Sequence, residues 1–267
     1  MFQILIFILI FLTGLTVGSF LNCVIYRLEK NESFLRGRSY CPHCKHILSW
    51  QDLIPVLSFL ILRGKCRYCG KRISLQYPLV ELSAAILFVF IFNAAAFNLR
   101  TIYYLIICCF LIIIFVYDSK HYLISDKVIY PAIGITFFYQ IISNFQFPIS
   151  ITNFQFQITN FYFSILSALG AAAFFLSIFL ISKGKWLGFG DVKLAFFMGL
   201  FLGFPKILIA LFFSYLIGAI IGLGLILAGK KTLKSEVPFG PFLVIGTFIA
   251  LFWGNQLINL YLNSFLL

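Results

Sequence analysis

Long, continuously apolar runs separated by short polar breaks limit what this chain can fold into. One opens the chain, FQILIFILIFLTGLTVGSFLNCVIYR, and others follow near 79–98, 102–118, 127–144, 161–182, 192–204, 206–229 and 238–262. About 20 apolar residues cross the hydrocarbon core of a bilayer, where only helices or closed barrels satisfy every backbone N–H and C=O. The runs do not alternate as the strands of a membrane barrel do. At 62% hydrophobic, 10% charged and a mean hydropathy of +1.03, the 267 residues lack the polar surface of a soluble domain. The fold class read from this pattern is all-α and polytopic, with about eight transmembrane helices.

Charge orients the helices. The first run has no basic segment before it and positive charge after it, so it reads as a retained anchor with its N-terminus outside. The stretches 26–78, 119–126, 183–191 and 230–237, with the helix ends abutting them, then face the cytosol. They hold eighteen of the twenty Lys and Arg residues, and only Arg100 and Lys206 fall outside. That asymmetry is the positive-inside pattern. It accounts for most of the net charge of +12. No stacking module or helix-turn-helix pattern accompanies the cations, so no nucleic-acid partner is expected. The repetitive stretch NFQFPISITNFQFQITNF at 144–161 reads as an external loop.

Three parts follow: a first transmembrane helix over 1–25, a cytosolic domain over 26–78, and a membrane domain of about seven helices over 79–267. The cytosolic part carries two C-x-x-C pairs, Cys41/Cys44 and Cys66/Cys69, 21 residues apart. Four thiolates so spaced suit tetrahedral Zn²⁺, and Gly70 suits the tight turn of a knuckle. Disulfides are disfavoured in the reducing cytosol, and a site with four protein ligands leaves no open position for catalysis. His43 and His46 are alternative ligands, while Cys23, Cys108 and Cys109 sit in apolar helices as packing residues.

Eight acids serve the whole chain, and Asp118, Asp126 and Asp191 lie at cytosolic ends of predicted helices. A carboxylate near the membrane interior costs about 2.5–3.5 kcal/mol on insertion scales, which makes function the default explanation. Asp118 and Asp126 emerge in VYDSKHYLISD and Asp191 in GFGD, all on one membrane face. Two such carboxylates in hydrogen-bond reach share a proton, the arrangement that splits an amide with water. Gly188 and Gly190 permit close backbone approach and unusual torsions. The alternatives are an ordinary helix N-terminal charge at Asp191, or a transporter with a zinc-stabilised cytosolic domain whose carboxylates carry protons or cations.

The G-x-G-D at 188–191, the aspartate after an apolar helix and the two cysteine pairs resemble the bacterial type IV prepilin peptidases, GxGD membrane aspartic proteases. So do GSFLNCVIYRL at 18–28, SWQDLIPVLSFL at 49–60, GKCRYCGKRISLQYPLVEL at 64–82 and VPFGPFL at 237–243. The resemblance implies an inner-membrane endopeptidase that removes the basic leader of prepilins or pseudopilins after a glycine on the cytosolic side. N-methylation of the new terminus with S-adenosylmethionine would follow, and a peptidase without that second activity is the alternative. It implies Asp118 and Asp191 as the catalytic pair, supported by Gly188 and Gly190. Asp126 is a reserve candidate, because Ile124-Ser125-Asp126 stands where members often have IPD. The methyltransferase is placed in the N-terminal part, with Glu29, Glu32, Asp52 and Glu81 as candidates without assigned roles, and Arg72 as a partner for Glu81. Prepilins and membrane lipids are the implied partners, the anionic headgroups attracting a leader as basic as the loops.

Overall fold

The computed structural model describes residues 2–33, 37–95, 98–145, 151–230, 232 and 237–265. Among them are nine α-helices: α1 Phe2–Lys30, α2 Leu57–Ile61, α3 Gln76–Ala95, α4 Leu99–His121, α5 Asp126–Phe145, α6 Ile151–Ser182, α7 Phe189–Leu202, α8 Lys206–Leu227 and α9 Gly240–Phe265. A 3₁₀ turn, Trp50–Leu53, precedes α2. Each predicted apolar run coincides with a helix among the described residues, with ends that differ from those expected. Six helices, α1, α3, α4, α6, α8 and α9, are long and apolar enough to cross a bilayer. Of the eight runs expected to span, α5 and α7 are not among these six. With 14 residues, α7 is about 21 Å long at 1.5 Å per residue, short of the ~30 Å core. The repetitive patch at 144–161 is not simply an external loop, since α6 begins at Ile151. Residues 146–150 lie outside the described residues, as do the cations Arg36, Lys231 and Lys234.

The chain forms two compact units, Met1–Ile113 and Ile114–Leu267. In the first, α1 packs along α3. Glycine makes this possible: a Cβ on Gly14 would lie 2.5 Å from Ala85 Cα, and one on Gly18 would lie 2.6 Å from Glu81 Cα. Small residues four apart let backbones meet where lipid provides no hydrophobic drive. Glu81 is buried on this seam and accepts the Val56 N–H at 2.8 Å and a hydrogen bond from the Ser19 side chain. Those groups stand where Arg72 was expected. Asn22 donates to the Tyr77 carbonyl, and Arg27 donates to the carbonyls of Ser33, Gly37 and Arg38, fixing the exit from α1.

The second unit is organised around α7, which packs against α5, α6, α8 and α9. The apolar residues Val192, Leu194, Ala195, Phe197, Met198, Leu200 and Phe201 on this helix are all buried. Gly199 allows α6 to approach, since a Cβ there would lie 2.6 Å from Ala168 Cα. Three buried hydroxyls bond within their own helices, Thr136 to Ala132, Ser214 to Ala210 and Thr247 to Leu243, which satisfies their protons in an apolar interior.

Candidate active site

Asp191 is the third residue of α7. Its Oδ2 accepts the Gly188 N–H at 3.1 Å, while its own N–H donates to the Gly188 carbonyl at 3.1 Å. This reciprocal closure satisfies backbone groups that a helix start leaves without partners. Asp191 is 8% exposed.

Asp118 sits in the last turn of α4, within the second unit, and is 4% exposed. The start of α9 closes over it. The Gly240 backbone N–H bonds the Asp118 carboxylate, and a Cβ on Gly240 would lie 2.5 Å from Oδ2 and 3.0 Å from Cγ. Oδ2 is buried and receives no hydrogen bond from the described residues. Asp118 and Asp191 lie near enough for their charges to interact. Tyr215 of α8 is also in electrostatic range of Asp191, and its ring meets Phe239, beside Gly240, with centroids 5.1 Å apart.

Of the three predicted aspartates, the fold therefore brings two together. Asp126 is turned to another task. It begins α5, its side chain is 59% exposed, and it accepts the Lys193 ammonium at 2.5 Å. The glycines also divide. Gly188 has φ −76° and ψ 151°, extended backbone that any residue adopts, so the unusual torsion expected there is absent. Gly190 is the close approach, with a Cβ placed 3.0 Å from Ile124 Cβ. In the sequence, VPFGPFL at 237–243 carries part of the resemblance, and nothing in it links Gly240 to Asp118. The available signal was glycine at a helix start where a side-chain cap ordinarily stands.

In the first unit, the Sγ atoms of Cys41, Cys44, Cys66 and Cys69 all lie within 4.8 Å of one another, Cys41 and Cys69 at 4.0 Å. A tetrahedral zinc with Zn–S bonds of about 2.3 Å needs sulfurs roughly 3.8 Å apart, so the cluster fits the ion. The halves are copies. Cys41 N–H donates to His46 O and Cys66 N–H to Lys71 O; Lys45 N–H donates to Cys41 O and Gly70 N–H to Cys66 O. Bridges Tyr40–Ile47 and Lys65–Arg72 close each knuckle. Equivalent turn positions carry φ 60° at Lys45 and φ 69° at Gly70. The His46 ring lies on Tyr68, with centroids 3.7 Å apart.

Asp52 ties the second knuckle to the 3₁₀ turn. Its carboxylate, 4% exposed, accepts from Ser49 N–H and Oγ, Tyr68 Oη and Arg67 Nε. Burial lifts its carboxyl, but the hydrogen bonds from Ser49, Tyr68 and Arg67 outweigh this and hold it below the usual carboxylate range. Beside the first knuckle a cavity of about 550 Å³ is lined by Glu32, Arg38, Tyr40, Lys45 and Ile47, among others.

Residues 12–95 match the family described as Bacterial Peptidase A24 N-terminal domain, and residues 105–223 match the Type IV leader peptidase family. Proteins called prepilin leader peptidase/N-methyltransferase are similar over nearly their whole length. That of Aeromonas hydrophila is 32% identical, covering 97% of this chain and 95% of its own. That of Bacillus subtilis is 31% identical, covering 96% and 97%, and that of Legionella pneumophila 31%, covering 96% and 94%. No solved structure matches the chain.

Proposed function

The chain belongs to the type IV leader peptidase family, and from that premise we propose that it is a membrane aspartic endopeptidase removing the basic leader of prepilins or pseudopilins. The cut falls after glycine at the cytosolic face of the bacterial inner membrane, with the N-terminus of the enzyme outside. One observation carries the reading: a buried Asp118 oxygen without a donor, beside a second buried carboxylate, Asp191.

Two buried carboxylates whose charges interact do not both ionise easily, so the working pair holds one proton. The ionised partner of the pair takes a proton from water as the water oxygen attacks the scissile carbonyl, with the Gly188 N–H holding the Asp191 carboxylate. The protonated partner gives its proton to the carbonyl oxygen, while the Gly240 N–H holds the Asp118 carboxylate in place. Collapse of the tetrahedral intermediate returns a proton to the departing nitrogen. The apolar helix of the substrate lies in the bilayer beside the second unit, and its basic leader rests against anionic headgroups.

The four cysteines hold a structural zinc that organises residues 26–78 as a binding domain, its four ligands closing the tetrahedron. The family's second activity calls for S-adenosylmethionine, which supplies a methyl group to the new N-terminal amine. The cavity beside the first knuckle is large enough for such a molecule. Arg38 would meet its carboxylate and Glu32 its cationic groups.

Mass spectrometry of a co-expressed prepilin's N-terminus tests the whole assignment, because it reads cutting and methylation together. Asp118→Asn and Asp191→Asn each abolish cleavage in a protein that still inserts and binds zinc, whereas Asp126→Asn still cuts. Normal processing by both single variants of the pair refutes the dyad.

A further inference from the structure

The segment SWQDLIPVLSFLIL at 49–62 is used neither by the cysteine cluster nor by the carboxylate pair. Its 3₁₀ turn and α2 contain no buried residue. The two sides of α2 differ. Phe59 packs against Gly64, where a Cβ would lie 3.1 Å from its ring. Leu57, Leu60 and Ile61, on one face by their i, i+3, i+4 spacing, are exposed, Leu60 at 62% and Ile61 at 75%. Trp50, at 73%, in the 3₁₀ turn that contacts α2, is exposed as well, as is Leu75 just before α3. Clustered exposed apolar groups of this kind mark an interaction surface.

The backbone gives the depth at which that surface sits. Glu81 lies five residues after Gln76 in the spanning helix α3, about 7.5 Å along its axis. Its Oε2 accepts the N–H of Val56, the residue preceding α2, at 2.8 Å. Val56 holds φ 60°, a conformation a β-branched residue adopts only under constraint. The start of α2 is thus pinned level with a membrane-inserted turn of α3. Arg63, Lys65, Lys71 and Arg72 follow α2 and are all exposed.

We propose that α2 and Trp50 form an interfacial anchor lying in the plane of the bilayer. Leu57, Leu60 and Ile61 enter the headgroup–acyl boundary of the leaflet at which α1 ends and α3 begins, and the following cations meet anionic headgroups. The anchor holds the cysteine lobe flat on the membrane. It stands independently of the peptidase reading.

The test uses the full chain in vesicles of phosphatidylethanolamine and phosphatidylglycerol, with and without bromine on the acyl chains. One variant, Trp186→Phe/Trp253→Phe, keeps Trp50; a second adds Trp50→Phe and Leu60→Trp. An indole about 5–10 Å inside the interface emits at shorter wavelength and loses at least about half its emission to bromolipid, while aqueous acrylamide hardly affects it. Emission typical of hydrated indole, quenched by acrylamide and untouched by bromolipid, overturns the proposal. Protection from both quenchers that disappears on diluting the protein in lipid means a second copy covers the face, and overturns it equally. Zinc content reports that the lobe is folded, and Leu57→Trp gives the same reading should Leu60→Trp lose zinc.

Discussion

Gly240 is the position at which a single added methyl group tests the geometry of the carboxylate pair. A Cβ there would stand 2.5 Å from Asp118 Oδ2, 3.0 Å from Cγ and 3.4 Å from Cβ. A carbon–oxygen contact relaxes only near 3.3 Å, so the helix start or the carboxylate must give by about 0.8 Å. Asp118 lies 4% exposed in the last turn of α4, and the Gly240 N–H that holds it sits on the same atoms that would move. Misplacing a catalytic group by about 1 Å costs roughly 10²-fold, or about 2.7 kcal/mol of transition-state stabilisation. Gly240→Ala therefore lowers kcat/KM for prepilin cleavage by about a hundredfold. Two further glycines make the prediction graded. At Gly190 the added carbon meets Ile124 Cβ at 3.0 Å, a branched side chain with limited room to yield, so an intermediate loss is expected. At Gly188 it meets Asp191 Oδ2 at 3.6 Å, an ordinary contact, and the N–H that Asp191 needs remains. Gly188→Ala therefore costs less than about tenfold. The assay is cleavage of purified prepilin in detergent, with zinc content and thermal unfolding confirming an intact enzyme. Full activity of Gly240→Ala, or a larger loss at Gly188 than at Gly240, refutes the placement of α9 on Asp118.

Replacing the four cysteines by serine releases the metal, measured by elemental analysis, and lowers methylation at least as much as cleavage; retained zinc refutes the four-ligand site. Lys45→Gly stabilises the first knuckle by about 0.5–1 kcal/mol, read as slower zinc transfer to a chelator, because Lys45 holds φ 60° where its counterpart Gly70 holds φ 69° at no cost. Asp52→Ala strips four hydrogen bonds from the lobe and speeds zinc loss, a destabilisation of about 2 kcal/mol. Because folding lowers the Asp52 pKa, its contribution is complete above the ordinary carboxylate value near 4 and is lost as pH falls through the lower folded value. Zinc retention on acidification loses part of its steepness below pH ~4 in Asp52→Asn.

Hydropathy along the chain determined the helical membrane class, since a bilayer accepts a continuous apolar run in one backbone form. Spacing determined the cysteine cluster, because two C-x-x-C knuckles are local structures that need little help from the rest of the chain. Scarcity pointed to Asp118, Asp126 and Asp191, as acids are costly at a membrane face unless used, and the resemblance chose Asp118 and Asp191 as the pair. Everything that depended on which helix meets which was decided in three dimensions. Asp126 stands at a helix start as Asp191 nearly does, and only the packing of α5 on α7 turned it towards Lys193. Glu81 took the Val56 N–H in place of a cation because the α1–α3 seam left a carboxylate facing backbone. Gly240 reads in the sequence as a break between prolines. Its need for a missing Cβ exists only because the start of α9 rests on Asp118, more than a hundred residues earlier. Periodicity and spacing act over a few residues and are written in order along the chain; such contacts arise from close packing between distant segments, and no local pattern encodes them.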